Sequence, residues 1–168
     1  DFKLPSLFLF DIQPEQTDPL KSLLADQKTS LDLLSPLIRA RLESVNGQPF
    51  QRGMDDSNRQ MLTREEERER RYRARGLNIS YRPALFNSEK IIAGPPLNKN
   101  YDFNAGLPAE LSIEERYASR LGLEIGDLLQ FDVQGIPIEG KIVNLRQGKW
   151  NSFQPNFFIL FQAGVLED

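Results

Sequence analysis

Glu114 and Glu115 are adjacent carboxylates, a pair that acid–base catalysis would use if both converged on a cleft with shifted pKa values. They also fall in the first turn of an expected helix, where acidic side chains favour the dipole and the cap. That structural role suffices for them. Asp55 and Asp56 beside Gly53 suggest a Ca²⁺ loop, but the alternating oxygen ligands of an EF-hand are absent. The chain has no His and no Cys, which excludes a Ser-His-Asp hydrolase and thiolate chemistry. Only Ser-Lys or paired-carboxylate chemistry remains. There is no GxxxxGK[ST] phosphate loop. No catalytic residue, cofactor or metal site is therefore assigned.

Two segments carry binding chemistry instead. Residues 59–75 hold seven Arg and four Glu. The guanidinium groups of Arg68, Arg71 and Arg75 suit phosphate or carboxylate recognition on a partner or a membrane surface. The competing reading is a solvated helix laced with Glu66–Arg70 and Glu69–Arg73 pairs, and this is the expectation. The run NFFILF, with Phe153 and Trp150, reads either as a hydrophobic-ligand groove or as an interior strand, and the strand is expected. Trp150 stands among Lys149, Asn151 and Ser152. That setting suits a half-exposed anchor at a membrane-facing or partner-facing edge.

Composition bounds the scaffold. The 168 residues are 39% hydrophobic, enough for one ordinary domain or two small subdomains sharing a core. The net charge of -3 argues against a general nucleic-acid binder. No run approaches the roughly 20 apolar residues of a membrane span, and no signal peptide is visible. Asp1 and Asp168 read as the ends of an excised segment.

The elements follow from period and punctuation. Leu4 to Ile12 reads as a buried strand between Pro5 and Pro14. Thr17, Asp18 and Pro19 predict a helix start, with Leu20, Leu23 and Leu24 on one face. Ile38, Ala40 and Leu42 alternate with Arg39, Arg41 and Glu43 as a half-exposed strand ending in an Asn46–Gly47 turn. Residues 48–57 read as a loop and 58–75 as a charge-dense helix. Leu77, Ile79 and Tyr81 predict a strand, and the chain up to Gly106 reads as loop. Ser112 and Glu115 form a capping box for a helix carrying Ile113, Tyr117 and Leu121 and ending at Gly122. Leu129, Phe131 and Val133 alternate as a strand. Gln134–Gly135 then turns the chain into a second strand, Ile136 to Leu145, with Pro137 near its start. Asn156 to Phe161 is the last strand. The fold class is α+β: a strand–helix–strand half and a β-rich half entered by a capped helix, the boundary falling around residues 80–110.

These residues resemble the MacB/FtsX/Lol-type superfamily of ABC permeases, nearest its YbbP-like branch. The resemblance rests on PSLFLFDIQPEQ, SPLIRARL with Asn46 and Gly47, LNISY, IAG, LSIEE, ASRLGLEIGD, LLQFDV, KIVNLR, WNSFQPNFF and GVLED, in that order along most of the chain. Residues 48–75 match least. Lys149 stands where relatives often carry an acidic residue. The resemblance implies a porter-like half (about 1–80 with the C-terminal strand) and a small β-rich half (about 108–150), as in MacB-type periplasmic core domains. It implies one extracytoplasmic permease domain over residues 1–168, on the periplasmic face of a bacterial inner membrane and anchored by flanking transmembrane helices. Such a domain is non-catalytic and couples ATP-driven helix motion to a lipid or other hydrophobic cargo, or to a periplasmic partner such as a lysophospholipase-type esterase. The ATPase is a separate cytoplasmic subunit, and no nucleic acid is bound. The rivals are a free-standing periplasmic carrier of hydrophobic ligands and an enzyme built on carboxylates.

Overall fold

The computed structural model describes residues 7, 9–31, 33–50, 64–65, 76–82, 84–148 and 157–167. They divide into two compact units, residues up to 35 in one and residues from 36 onward in the other.

The first unit contains helix α1, Pro14–Asp26. It starts earlier than Thr17 and Pro19 suggest. Gln13 is the cap: its backbone N–H donates to Gln16 Oε1 at 3.0 Å, and Pro14 takes the first helical position, where its missing N–H costs nothing. Pro19 lies inside the helix rather than at its start. Residues 9–12 form no strand, contrary to the expectation for Leu4 to Ile12. A strand needs a hydrogen-bonded neighbour, and no strand occurs among the described residues of this unit. Leu7, Leu9 and Phe10 are exposed, and no residue of α1 is buried.

Among the described residues, the second unit is built around eight strands: β1 Ile38–Val45, β2 Gln48–Pro49, β3 Leu77–Tyr81, β4 Glu89–Ala93, β5 Ala109–Glu114, β6 Leu128–Val133, β7 Ile136–Gly148 and β8 Ile159–Phe161. Six of them close on themselves in the order β1–β3–β8–β5–β7–β6 and back to β1. The pairs β3–β8 and β5–β7 are parallel, and the other four in the ring are antiparallel. β2 extends the ring from β1, and β4 extends it from the far end of β7. A ring this narrow is filled by its own side chains. Ala40, Leu42, Ile79, Leu111, Ile113, Leu129, Phe131, Ile142, Ile159 and Phe161 form one buried cluster, with Phe131 edge-on to Phe161 at 5.4 Å between centroids.

The alternating strands appear where period 2 places them. β1 buries Ala40 and Leu42, β6 buries Leu129 and Phe131, and the last strand is fully buried as an interior element. The two hairpin turns, Asn46–Gly47 and Gln134–Gly135, have positive φ at both positions, as the tight connection of a twisted hairpin requires. Pro137 sits near the start of β7 opposite Asp132.

Three expectations change. Ser112 and Ile113 belong to β5, not to a helix, because β7 and β8 pair with them on both sides. Helix α2 is therefore shorter, Glu115–Leu121, and is capped by the side chain of Glu114 rather than by a Ser112–Glu115 box. Its end at Gly122, with φ 68°, is as predicted. The stretch Glu89–Ala93, read as a lead into a loop, is strand β4, and Gln48–Pro49 is a short strand. Within the expected helix of residues 58–75, only Arg64 and Glu65 are described, and both are helical.

Candidate functional site

Among the described residues, buried polar side chains concentrate where β4, β5 and β7 meet. Register places Ser112 opposite Asn144 and Glu114 opposite Arg146 on the parallel β5–β7 pair, and Ile91 opposite Arg146 on β4. All four polar side chains of that pair are buried. Arg146 shares strand parity with Gly140 and Ile142, so the alternation of β7 turns it inward.

Arg146 is 1% exposed. Its Nη1 donates to the carbonyls of Ser112 at 2.9 Å and Phe158 at 3.3 Å, and its Nη2 donates to the carbonyl of Phe157. Its Nε donates to Glu89 Oε1 at 3.3 Å. One guanidinium thus ties β7 to the end of β5, the start of β8 and the first residue of β4. Arg82 reaches the same carboxylate oxygen at 3.0 Å and lies over the Phe86 ring at 3.8 Å. Its Nε and Nη1 have no hydrogen-bond partner among the described residues. Arg82 is therefore held by one ion pair and one ring contact, and Arg146 is the more completely engaged cation.

Both oxygens of Glu89 are occupied, Oε1 by the two arginines and Oε2 by the Phe86 N–H at 3.0 Å. Burial alone would raise this carboxyl. The Arg82 hydrogen bond, the Phe86 N–H and the two nearby positive charges outweigh it and hold Glu89 below the ordinary carboxylate value. Burial pulls the Arg146 guanidinium down to about 10, opposed by the Glu89 charge and hydrogen bond. It still carries its charge at neutral pH. The arrangement locks backbone together, and each Glu89 oxygen has a partner.

The Glu89 shift carries a sign. A carboxyl depressed in the folded state stabilises the fold above its ordinary value of 4.5, and that contribution is lost as pH falls through the folded value. Glu89→Gln is expected to cost about 3 kcal/mol at pH 7, because two buried arginines lose their counter-charge. It should also flatten the fall in stability as pH drops below the ordinary carboxylate value of 4.5, relative to the unsubstituted chain. Urea unfolding at a series of pH values measures both.

Glu114 and Glu115 are separated in role. Glu114 Oε2 accepts the Tyr117 N–H at 2.8 Å as the cap of α2, and Glu115 occupies the first turn. Phe158 stacks on Tyr117 at 4.7 Å. Trp150, Arg68, Arg71 and Arg75 all lie outside the described residues. So do Phe153, Asp55, Asp56 and the Glu66–Arg70 and Glu69–Arg73 pairs. Arg82, Glu89 and Arg146 were not singled out from sequence. The inward parity of Arg146 with Ile142 was the available signal. No cluster of three acidic, His or Cys side chains suited to a metal occurs among the described residues. No described helix is long and apolar enough to cross a membrane.

Comparison with known proteins supplies a class. The chain is similar over nearly its whole length to a segment of an ABC transporter permease. That relative is the uncharacterized ABC transporter permease YbbP of Escherichia coli (strain K12), 31% identical over 163 residues. The match covers 97% of this chain and 17% of the relative, so the chain spans only a small part of that protein's length. No protein-family model matches the chain, and no solved structure matches it.

Proposed function

We propose that this chain is a non-catalytic extracytoplasmic domain of a MacB/FtsX/Lol-type ABC permease of the YbbP-like branch. It lies on the periplasmic face of the inner membrane, held there by flanking helices. It passes ATP-driven helix motion to a lipid or other hydrophobic cargo, or to a periplasmic partner such as an esterase. The ATPase is a separate cytoplasmic subunit. The observation that carries this reading is the similarity of 97% of this chain to a segment of the permease YbbP.

The fold reading remains α+β, with a porter-like half and a β-rich half within one domain of residues 1–168. Strands β1, β3 and β8 come from the first half and β5, β6 and β7 from the second, and the ring joins them at β8–β5 and β1–β6. A domain that transmits force benefits from such continuous hydrogen bonding.

The test uses the full-length gene product. In spheroplasts, external protease should cut within this segment, and the detergent-solubilised protein should co-purify with an ABC ATPase. A processed protein released in the periplasmic fraction, with no ATPase attached, would overturn the proposal.

A further inference from the structure

The loop between β4 and β5 presents two apolar side chains to solvent, Phe103 at 65% and Leu107 at 66% exposure. It is also among the most firmly tied loops of its unit. Asn98 donates from its backbone and side chain to Glu110 at 2.7 and 2.6 Å. The Tyr101 N–H donates to the Ala163 carbonyl at 2.8 Å, and Gln162 Nε2 donates to the Asn100 carbonyl at 3.0 Å. Tyr101 Oη donates to the Leu107 carbonyl at 2.8 Å, and its ring meets Phe103 edge-on at 4.6 Å. Asp102 caps the 3-10 turn Phe103–Ala105, and Gly106 closes it in the left-handed region. The exposure of Phe103 and Leu107 is therefore built in, since the backbone beneath them is fixed.

We propose that this loop is a lipid-contacting surface that lays Phe103 and Leu107 into the headgroup layer of the bilayer. The inference rests on the permease reading. In that reading the chain beyond β8 leads to a membrane helix, and the loop is stitched to Gln162 and Ala163, immediately after β8. Size decides the occupant. The apolar area of these two side chains is far short of the roughly 800 Å² per partner that a standard protein interface buries. They suffice for a tethered domain, because the tether supplies effective concentration and only marginal lipid affinity is needed. Lys99 and Asp102 cancel in charge, so the contact is apolar rather than electrostatic. Tyr101 adds the amphipathic ring common at membrane interfaces.

The chain has no Cys and no His, so a single introduced Cys and a C-terminal hexahistidine tag are both unique. Phe103→Cys and Leu107→Cys, each carrying a nitrobenzoxadiazole label, are attached through the tag to phosphatidylethanolamine–phosphatidylglycerol vesicles with nickel-chelating lipid. Ile136→Cys, at an equally exposed site on the β6–β7 hairpin, is the control. Quenching by 5-doxyl lipid should be at least about threefold stronger at 103 and 107 than at 136, since interfacial side chains sink roughly 5–10 Å into the headgroup–acyl boundary. Equal, weak quenching at all three positions overturns the proposal. So does shielding at 103 and 107 that appears only when periplasmic protein is added, which identifies a protein partner instead. The tag imposes attachment, so either negative result leaves the permease reading standing.

Discussion

Replacing Arg146 by Met lowers the stability of the strand unit by about 3–5 kcal/mol, the range for removing one member of a buried charge network. The loss has two sources. The carbonyls of Ser112, Phe157 and Phe158 lose a charged donor, although the Phe158 oxygen keeps the Glu114 N–H at 2.8 Å. Glu89 keeps Arg82 but loses its second cation. Met fills similar volume, so a cavity contributes little. Arg146→Lys keeps the charge and recovers less than half of the loss, because an ammonium cannot span the planar fork that reaches three carbonyls and a carboxylate. Urea unfolding with an unchanged m-value reads these differences as stability. A Lys variant as stable as the original chain would show that charge alone matters and that the fork does not.

Gly94→Ala is expected to cost about 3 kcal/mol, combining overpacking with a strained backbone. Gly94 has φ +83°, and a Cβ there would stand 2.1 Å from the Val143 carbonyl oxygen and 2.9 Å from the Asn144 Cα. Backbone atoms cannot swing aside as a side chain would. The strand must move, which pulls Ala93 from Leu145 and strains the 2.8 Å hydrogen bond from Asn144 Nδ2 to the Pro95 carbonyl. Gly106 is the internal comparison. Its φ is +63°, and nothing lies within 4 Å of a Cβ, so Gly106→Ala should cost only about 1 kcal/mol of conformational strain. The difference between the two variants isolates the close approach of β4 to β7. Amide exchange should localise the Gly94 effect to residues 89–93.

The strands that alternate cleanly were legible because period 2 is a local property. β1 and β6 show it, and so do both hairpin turns and the Gly122 cap. β5 was not, because LSIEERYASRL carries a helical signal throughout: Ser112 and Glu115 at box spacing, and Ile113, Tyr117 and Leu121 four apart. Pairing with β7 and β8 overrides that signal at residues 109–114, and the helix survives only beyond Glu114. β4 was hidden for a related reason. EKIIA is too short to declare a period, and it is a strand because β7 runs three residues past the Leu145 end expected for it. At the N-terminus, Pro14 served equally as a strand stop or a first helical residue, and the Gln13–Gln16 cap decided for the helix. The charge network was the least legible part. Arg82, Glu89 and Arg146 come from three separate segments, and only the closed sheet brings them together.

Strand β8 sits between β3 and β5 and follows almost everything else in the sequence. On a nascent chain, β3 and β5 emerge long before the residues that join them, so the ring stays open until Ile159–Phe161 have been made. Contacts of such wide sequence separation fold slowly, because loop closure must be paid before they form. A chain stalled before Ile159 would carry two unsatisfied strand edges, a ready substrate for chaperones and proteases.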